Sequence, residues 1–369
     1  MIKRIHKIIY LLSAVTLIFF LIYTFFGNQI FNTSISDNNI ILLKQSRDLM
    51  SDFLDTVASE KRARNIDINE ENDPNKTGLI GVEYSPITTT LGDLEAKRTS
   101  VNPDNAAMIC SIFLEEGLNP GDTIAIGASS SFPGLLLATL AACKILDLNP
   151  VTIVSFSASQ YGANEPEFTI IDILETMENT YGNLFKPAAI SFGGNNDIAD
   201  NLDEETRNFI RDSIENSGYP LLYEENLSAN ISRRMGIYKE NAQTEIKMFV
   251  NIGGAITNLG TSPEALNLKP GLNKEINKIP DNNERGVIFE FASNNIPVLH
   301  LLYMKGLSIR YGLVWDPIPF QNDSYKNIIS LDNSEKQKYL IFFLSYVVCL
   351  VLIAGLGKHL LDTKESKNR

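Results

Sequence analysis

Two long apolar runs stand near the ends of this chain, and a different pattern fills the space between them. Ile8 to Phe26 is apolar for about 19 residues, broken only by Tyr10, Ser13, Thr16, Tyr23 and Thr24. As a helix, that length crosses the hydrocarbon core of a bilayer. Leu340 to Leu356 is a second run of about 17 residues with Tyr339 at its edge, near the lower limit for a crossing. In between, short apolar runs alternate with helix-period segments. The predicted strands are Leu79–Val82, Thr123–Gly127, Val151–Ser155, Ala188–Phe192, Leu221–Tyr223, Lys247–Ile252 and Pro297–Leu301. Helical patterns fall near 103–116, 133–147, 167–181, 203–217, 226–242 and 284–295. Pro103 suits a first helical position, Gly117 follows a last turn, and Asn149-Pro150 and Gly218-Tyr-Pro220 mark helix-to-strand crossings. This alternation predicts an α/β fold, a Rossmann-like and mostly parallel sheet flanked by helices.

The flanks of the apolar runs set the layout. Lys3, Arg4 and Lys7 precede the first, and no Lys or Arg follows it before Lys44. Lys358, Lys364, Lys367 and Arg369 follow the second. Both ends therefore read as cytoplasmic tails, 1–7 and 358–369, joined to transmembrane helices 8–26 and 339–357 in the cell membrane. A cleaved signal peptide is the alternative for the first run, but Phe25-Phe26-Gly27-Asn28 makes a poor cleavage site. A buried core helix is the alternative for either. Residues 27–77 are expected as a helical stalk and linker, with a helix over 37–64 carrying Ile41, Leu49, Phe53, Leu54 and Val57 on its apolar positions. Residues 78–338 are expected as one extracytoplasmic α/β domain, in which 257–283, rich in Asn, Pro, Gly and Lys, reads as a long loop.

Charge changes this picture in one respect. The chain carries a net −12 and its two tails hold +3 and +2, so the part between them stands at −17. Such a domain does not attract nucleic acid through its overall field. It also repels a polyanion on average, so binding one requires a local basic site or bridging cations. Three cysteines give no disulfide framework. Cys349 lies in the second apolar run, while Cys110 and Cys143 fall on apolar helical patterns that suit the core.

In a parallel sheet the C-terminal strand ends gather on one edge, where ligands bind. Here those ends are rich in small and polar residues: Glu83-Tyr84-Ser85, Ser129-Ser130-Ser131, Ser155 with Ser157 and Ser159, Gly193 to Asp197, and Asn251 to Asn258. Gly127 to Gly134 runs from a strand through a serine-rich turn into a helix, which suits a carboxylate or phosphate. It matches neither a Walker A loop nor the dinucleotide fingerprint. The turn alternatively presents a nucleophile, Ser129 first, although Gly-x-Ser-x-Gly is absent. Its base would be Lys97 or His300, and His300 reads as a core histidine on a buried strand. Zinc lacks ligands. A Mg²⁺ or Ca²⁺ site is open to Glu83, Asp93, Glu95, Asp197 or Asp200. Trp315 to Phe320 is expected to pack the chain end onto the globule.

Gly78 to Ser100, with Thr88, Thr89 and Thr90, a Gly92-Asp93 turn and the pair Lys97-Arg98, together with Gly127 to Gly134, resembles the poly-γ-glutamate system protein family. These are membrane-associated accessory proteins of bacterial capsule-type poly-γ-glutamate synthesis. The resemblance covers most of the chain between the apolar ends. It implies a poly-γ-glutamate or glutamyl-like ligand and synthase subunits as partners. The expected ligand site combines Glu83, Tyr84, Ser85, Thr88, Thr89, Thr90, Asp93, Lys97 and Arg98 with Ser129, Ser130 and Ser131. Lys97, Arg98 and the serine turn would hold carboxylates, while Glu83 and Asp93 would orient amides, hold a cation or act as acid and base. Three functions compete: an accessory subunit that binds the polymer, an enzyme that hydrolyses or transfers γ-glutamyl chains with Ser129, Lys97 and Glu83 as catalytic candidates, and a ligand sensor.

Overall fold

The computed structural model describes residues 2–31, 37–322, 324–328 and 333–365. It divides into two compact units, Met1–Asp37 with Leu331–Arg369, and Asn38–Ser330. In the first unit α1 (Ile2–Phe31) and a long C-terminal helix (Asn333–Glu365) pack along each other. The Phe19 ring lies 5.2 Å from Phe342 and 5.1 Å from Tyr346, and Thr16 Oγ1 lies 3.1 Å from the Tyr346 hydroxyl. Within α1, His6–Phe26 is long and apolar enough to cross a membrane. The apolar part of the C-terminal helix, Leu340–Leu356, is shorter, so among the described residues one helix has the length and composition of a span where two were expected.

The second unit is α/β. Its strands are β1 (Thr123–Ser129), β2 (Asn149–Ser155), β3 (Asn164–Glu165), β4 (Phe168–Thr169), β5 (Ala189–Ser191), β6 (Leu221–Leu222), β7 (Ile246–Ile252), β8 (Gly271–Asn273) and β9 (Val298–Leu301). Seven of them form one sheet in the order β6-β5-β2-β1-β7-β9-β8, parallel throughout except for β8, which runs antiparallel to β9. Every residue of β1 is buried, as a central parallel strand covered on both faces requires. That double burial explains why the strands read as unbroken apolar runs. Its helices are α2 (Asp37–Ala63), α3 (Leu94–Ser100), α4 (Asp104–Glu115), α5 (Pro133–Ile145), α6 (Ile170–Tyr181), α7 (Glu204–Ser217), α8 (Leu227–Asn241), α9 (Ile256–Leu259), α10 (Val287–Ser293) and α11 (Met304–Tyr311), which makes the C-terminal helix α12. Cys110 on α4 and Cys143 on α5 are free and buried where these two helices pack, and burial pushes the Cys110 thiol up to about 11.

Three expectations are corrected. Leu79–Val82 is not a strand. Both neighbours of β1 are already in place, so this apolar segment is buried against the loop that follows β2. There it bonds irregularly, Gly81 N–H to Tyr161 O at 3.3 Å and Val82 to the Asn164 side chain at 3.0 and 2.9 Å. The 257–283 segment is not one long loop, since it carries a 3₁₀ turn over Pro263–Asn267 and the edge strand β8. The Tyr311 hydroxyl accepts from Leu272 N–H at 2.9 Å and Arg310 donates to Leu272 O at 3.0 Å, which pins that edge.

Helix α2 is the third. Expected as part of a stalk, it packs against the domain instead, with Met50, Phe53 and Val57 fully buried. The Phe53 ring meets Tyr181 at 4.7 Å and Phe185 at 5.2 Å, both edge-on. Ion pairs Arg47–Asp104, Lys61–Glu165 and Arg64–Asp172 reinforce the same face. Phe53→Ala is expected to destabilise the protein by about 3–5 kcal/mol through the cavity it leaves. Thermal unfolding of the full chain in detergent checks this, because the same change on a free-standing stalk would leave the midpoint unmoved.

Candidate functional site

The order of strands makes a crevice. From β1 the chain moves outward through β2, β5 and β6, then returns to β7 on the other side of β1. At such a switch point the loops beyond the strand ends diverge and leave room for a ligand. A cleft of about 870 Å³ occupies that position, lined by Ser129 and Ser131 after β1, Ser157 and Ser159 after β2, Gly194 after β5 and Gly254 after β7. Its outer wall is the segment Thr89 to Lys97. That segment is stitched to the extension of β2 by Thr89 N–H to Ala158 O at 2.8 Å, Gln160 N–H to Thr90 O at 3.0 Å and Gly92 N–H to Gln160 Oε1 at 3.1 Å.

Lys97 is the buried amine of this cleft. Helix α3 starts on Asp93, whose carboxylate accepts Ala96 N–H at 2.7 Å, and places Lys97 one turn inward. The side chain is 2% exposed. Its amine donates to the Ser131 carbonyl, lies 2.7 Å from Ser159 Oγ and sits 4.1 Å from the Phe132 ring centre. Burial without a counter-charge lowers its pKa to about 7. A lysine near half-neutral at ordinary pH, touching a serine hydroxyl, is poised to take a proton from it.

A second buried cation behaves differently. Arg234 pairs with Asp197 at 2.6 Å, and both side chains are essentially inaccessible. Ser191 and Asn230 complete the set, donating to the Asp197 carboxylate at 2.8 and 3.0 Å, and Arg234 donates back to both at 2.7 and 2.9 Å. This network is closed on itself and shapes the cleft beside β5. The turn that carries it demands left-handed backbone at Gly193 and Gly194.

The predicted site residues divide. Thr89, Thr90, Asp93, Lys97, Ser129 and Ser131 line the cleft. Glu83 and Tyr84 are exposed away from it. Ser85 and Thr88 are buried on Asn164, Ser85 Oγ donating to its carbonyl at 2.5 Å and Thr88 Oγ1 accepting from its amide at 2.8 Å. Arg98 turns to Asp316 in a two-pronged ion pair of 2.7 and 2.5 Å, so it holds no ligand carboxylate. Trp315 donates to Glu95 at 2.9 Å, and Asp316 N–H donates to Thr99 at 2.9 Å, so the Trp315 to Phe320 segment packs onto the globule.

The serine turn does not offer the anion site expected of it. Ser130 N–H donates to Ser155 O, Ser131 N–H to Ser129 Oγ and Phe132 N–H to Ser129 O, and Pro133 has no N–H. Ser130 Oγ is bonded to the Ser155 carbonyl. Ser129, the expected nucleophile, donates to Ser131 Oγ at 3.0 Å, and the serine that meets Lys97 is Ser159. The sequence signal for Ser159 is the alternation Ser155-x-Ser157-x-Ser159, which keeps three hydroxyls on one side of an extended segment. His300 lies on β9, 4% exposed, 2.9 Å from the Asn251 amide, with burial lowering its pKa to about 4. It does not line the cleft. Asp93 caps α3 and Asp197 is paired, and among the described residues no three His, Cys, Asp or Glu gather into a metal site. No family model, curated protein or solved structure matches the chain.

The folded pKa of Lys97 lies below its unfolded value near 10.5. Unfolding therefore takes up a proton between pH about 7 and 10.5, and the stability due to this residue rises with pH across that window. In Lys97→Met the contribution vanishes. Denaturant unfolding at pH 6.5, 8 and 9.5 is expected to show wild type gaining on the variant at each step, and parallel pH curves would contradict the lowered pKa.

Proposed function

We propose that this chain is a membrane-anchored accessory protein of poly-γ-glutamate synthesis or export at the bacterial cell surface, and that the cleft above β1 and β7 holds a stretch of the glutamyl chain. One observation carries the reading. The two segments in which the family resemblance resides, Gly78 to Ser100 and Gly127 to Gly134, meet at the cleft, lined by Thr89 to Lys97 of the first and by Ser129, Ser131 and Phe132 of the second. Lys97 of the first donates to Ser131 of the second. An added Cβ at Gly134 would fall 2.7 Å from Ser100 O, so only glycine lets α5 approach α3 this closely. Ligand contacts fall at this position in open parallel sheets. Both helices of the first unit act as membrane spans in this reading, with both termini in the cytoplasm, and their outward apolar side chains face lipid or synthase subunits. The Lys97–Ser159 contact favours a second reading, in which the same cleft cuts or transfers the chain.

Full-length protein in detergent is expected to bind a fluorescent poly-γ-glutamate oligomer saturably, as read by anisotropy. Gly254 lines the cleft, and an added Cβ there meets Leu302 only at 3.7 Å, an ordinary contact. Gly254→Trp should fill the cleft and weaken binding at least ~10-fold, or 1.4 kcal/mol, with the melting temperature unchanged. Equal binding in the variant, or none in the wild type, would remove the cleft from the polymer's path. Reporters active only in the cytoplasm are expected to work when fused at either terminus and to fail when inserted at Gly117, and a cytoplasmic signal at Gly117 would overturn the topology.

A further inference from the structure

We propose that the cleft is catalytic and that Ser159 and Lys97 form a serine–lysine acyl-transfer pair. The pair itself stands on geometry alone. That its substrate is a γ-glutamyl amide rests on the polymer reading above.

Three observations converge. The Lys97 amine and Ser159 Oγ are 2.7 Å apart in a buried pocket that opens to the cleft. The amine has a second, fixed partner in the Ser131 carbonyl and lies against the Phe132 ring, so its position does not depend on the serine. Ser159 is likewise held from behind, its own N–H donating to Ser131 Oγ at 2.9 Å. Nucleophile and base are thus fixed through one residue, Ser131, the arrangement a preorganised pair requires. Ser157 then stands two residues along the same extended segment, 2% exposed on the cleft wall, and its hydroxyl has no partner among the described residues. A buried hydroxyl without a partner carries a desolvation penalty, which a ligand oxygen at that spot relieves.

The steps balance without any further group. Ser159 Oγ attacks an amide carbonyl carbon, and its proton passes to the neutral Lys97 amine. The C–O bond forms and the carbonyl oxygen gains negative charge, toward which the Ser157 hydroxyl donates. The carbonyl re-forms as the C–N bond breaks, and the departing amine takes the proton from Lys97. Water, or a second amine, then attacks the Ser159 ester while Lys97 accepts its proton and returns it to Ser159 Oγ. Water gives hydrolysis and an amine gives chain transfer.

A fluorophosphonate probe tests the pair independently of any natural substrate, because serine attack on phosphorus expels fluoride and leaves a stable adduct. The full-length protein in detergent is expected to take up one probe, mapped by peptide mass spectrometry to Ser159. Lys97→Met should slow labelling by about 10²–10⁴-fold, the usual contribution of a general base, while Ser293→Ala, at an exposed serine of α10 outside the cleft, labels at the wild-type rate. Mapping on the unaltered chain needs no variant and therefore survives any folding defect in Lys97→Met. An unlabelled Ser159, or labelling that is indifferent to Lys97→Met in a folded variant, overturns the proposal. Poly-γ-glutamate shortening that disappears in Ser159→Ala supports pair and substrate together. Labelling at Ser159 without cleavage or transfer of the polymer leaves the pair standing and removes the γ-glutamyl substrate. Polymer binding with no labelling does the reverse.

Discussion

The amine of Lys97 is buried between a carbonyl, a hydroxyl and an aromatic ring, and the wall of the cleft depends on that placement. Helix α3 has seven residues, too few to persist alone. Its first turn is held by the Asp93 cap, and its last carbonyls by the Asn105 amide, which donates to Thr99 O and Ser100 O at 2.8 and 3.3 Å. Arg98 faces outward to Asp316 and Lys97 inward to Ser131 and Ser159. Adjacent residues on a short helix therefore anchor it on opposite sides. One joins it to the chain's later segment, the other to the ends of β1 and β2.

Two of the buried cations of this domain, Arg234 and Lys97, show why position matters less than pairing. Arg234 has a carboxylate at 2.6 Å, with Ser191 and Asn230 bonded around the pair. Removing either member would cost about 3–5 kcal/mol, and the network shapes the turn beside β5, with Asp197 on the cleft lining. Lys97 has no counter-charge, so burial acts on it undiluted and brings its pKa to about 7. Desolvation that structure would ordinarily avoid is tolerated here, as the proposed serine–lysine pair requires.

Much of this was legible in the residues, and the failures share a cause. Strands β1, β2, β7 and β9 were readable because central parallel strands are apolar on both faces, and the gathering of serines and glycines on one edge follows from the topology they imply. Leu79 to Val82 shows the same apolar signature, but which run enters the sheet is decided by competition for the edges of β1, and that is a three-dimensional question. Leu94 to Ser100 is too short to show a helical period, so the helix that carries Lys97 does not stand out in the sequence. Ser129 is the partner the residues suggest, because a turn before a helix is a recognised setting for a nucleophile. Ser159 was visible only as the third member of an alternation, and nothing local says that a residue 62 positions earlier reaches it.

The acidity of the domain limits how a polyanion would be held on the proposed reading. Surface charges are screened beyond about 8 Å at physiological salt, so the groups that matter are those in the cleft. There Asp197 is neutralised by Arg234 and Lys97 is close to half-neutral, while Arg98 turns out of the cleft to Asp316. Asp93 and Glu95 remain as negative groups on the lining, with Lys305 held 6.0 Å from the Trp315 ring centre as a positive one. Such a cleft has little to offer the carboxylates of a glutamyl chain. Its hydroxyls and backbone suit the repeating amide, which is uncharged and has both a donor and an acceptor. A chain bound in this way keeps its carboxylates in solvent, away from Asp93 and Glu95, and presents to the buried Lys97 and Ser159 the one bond whose cleavage or transfer a neutral amine can assist.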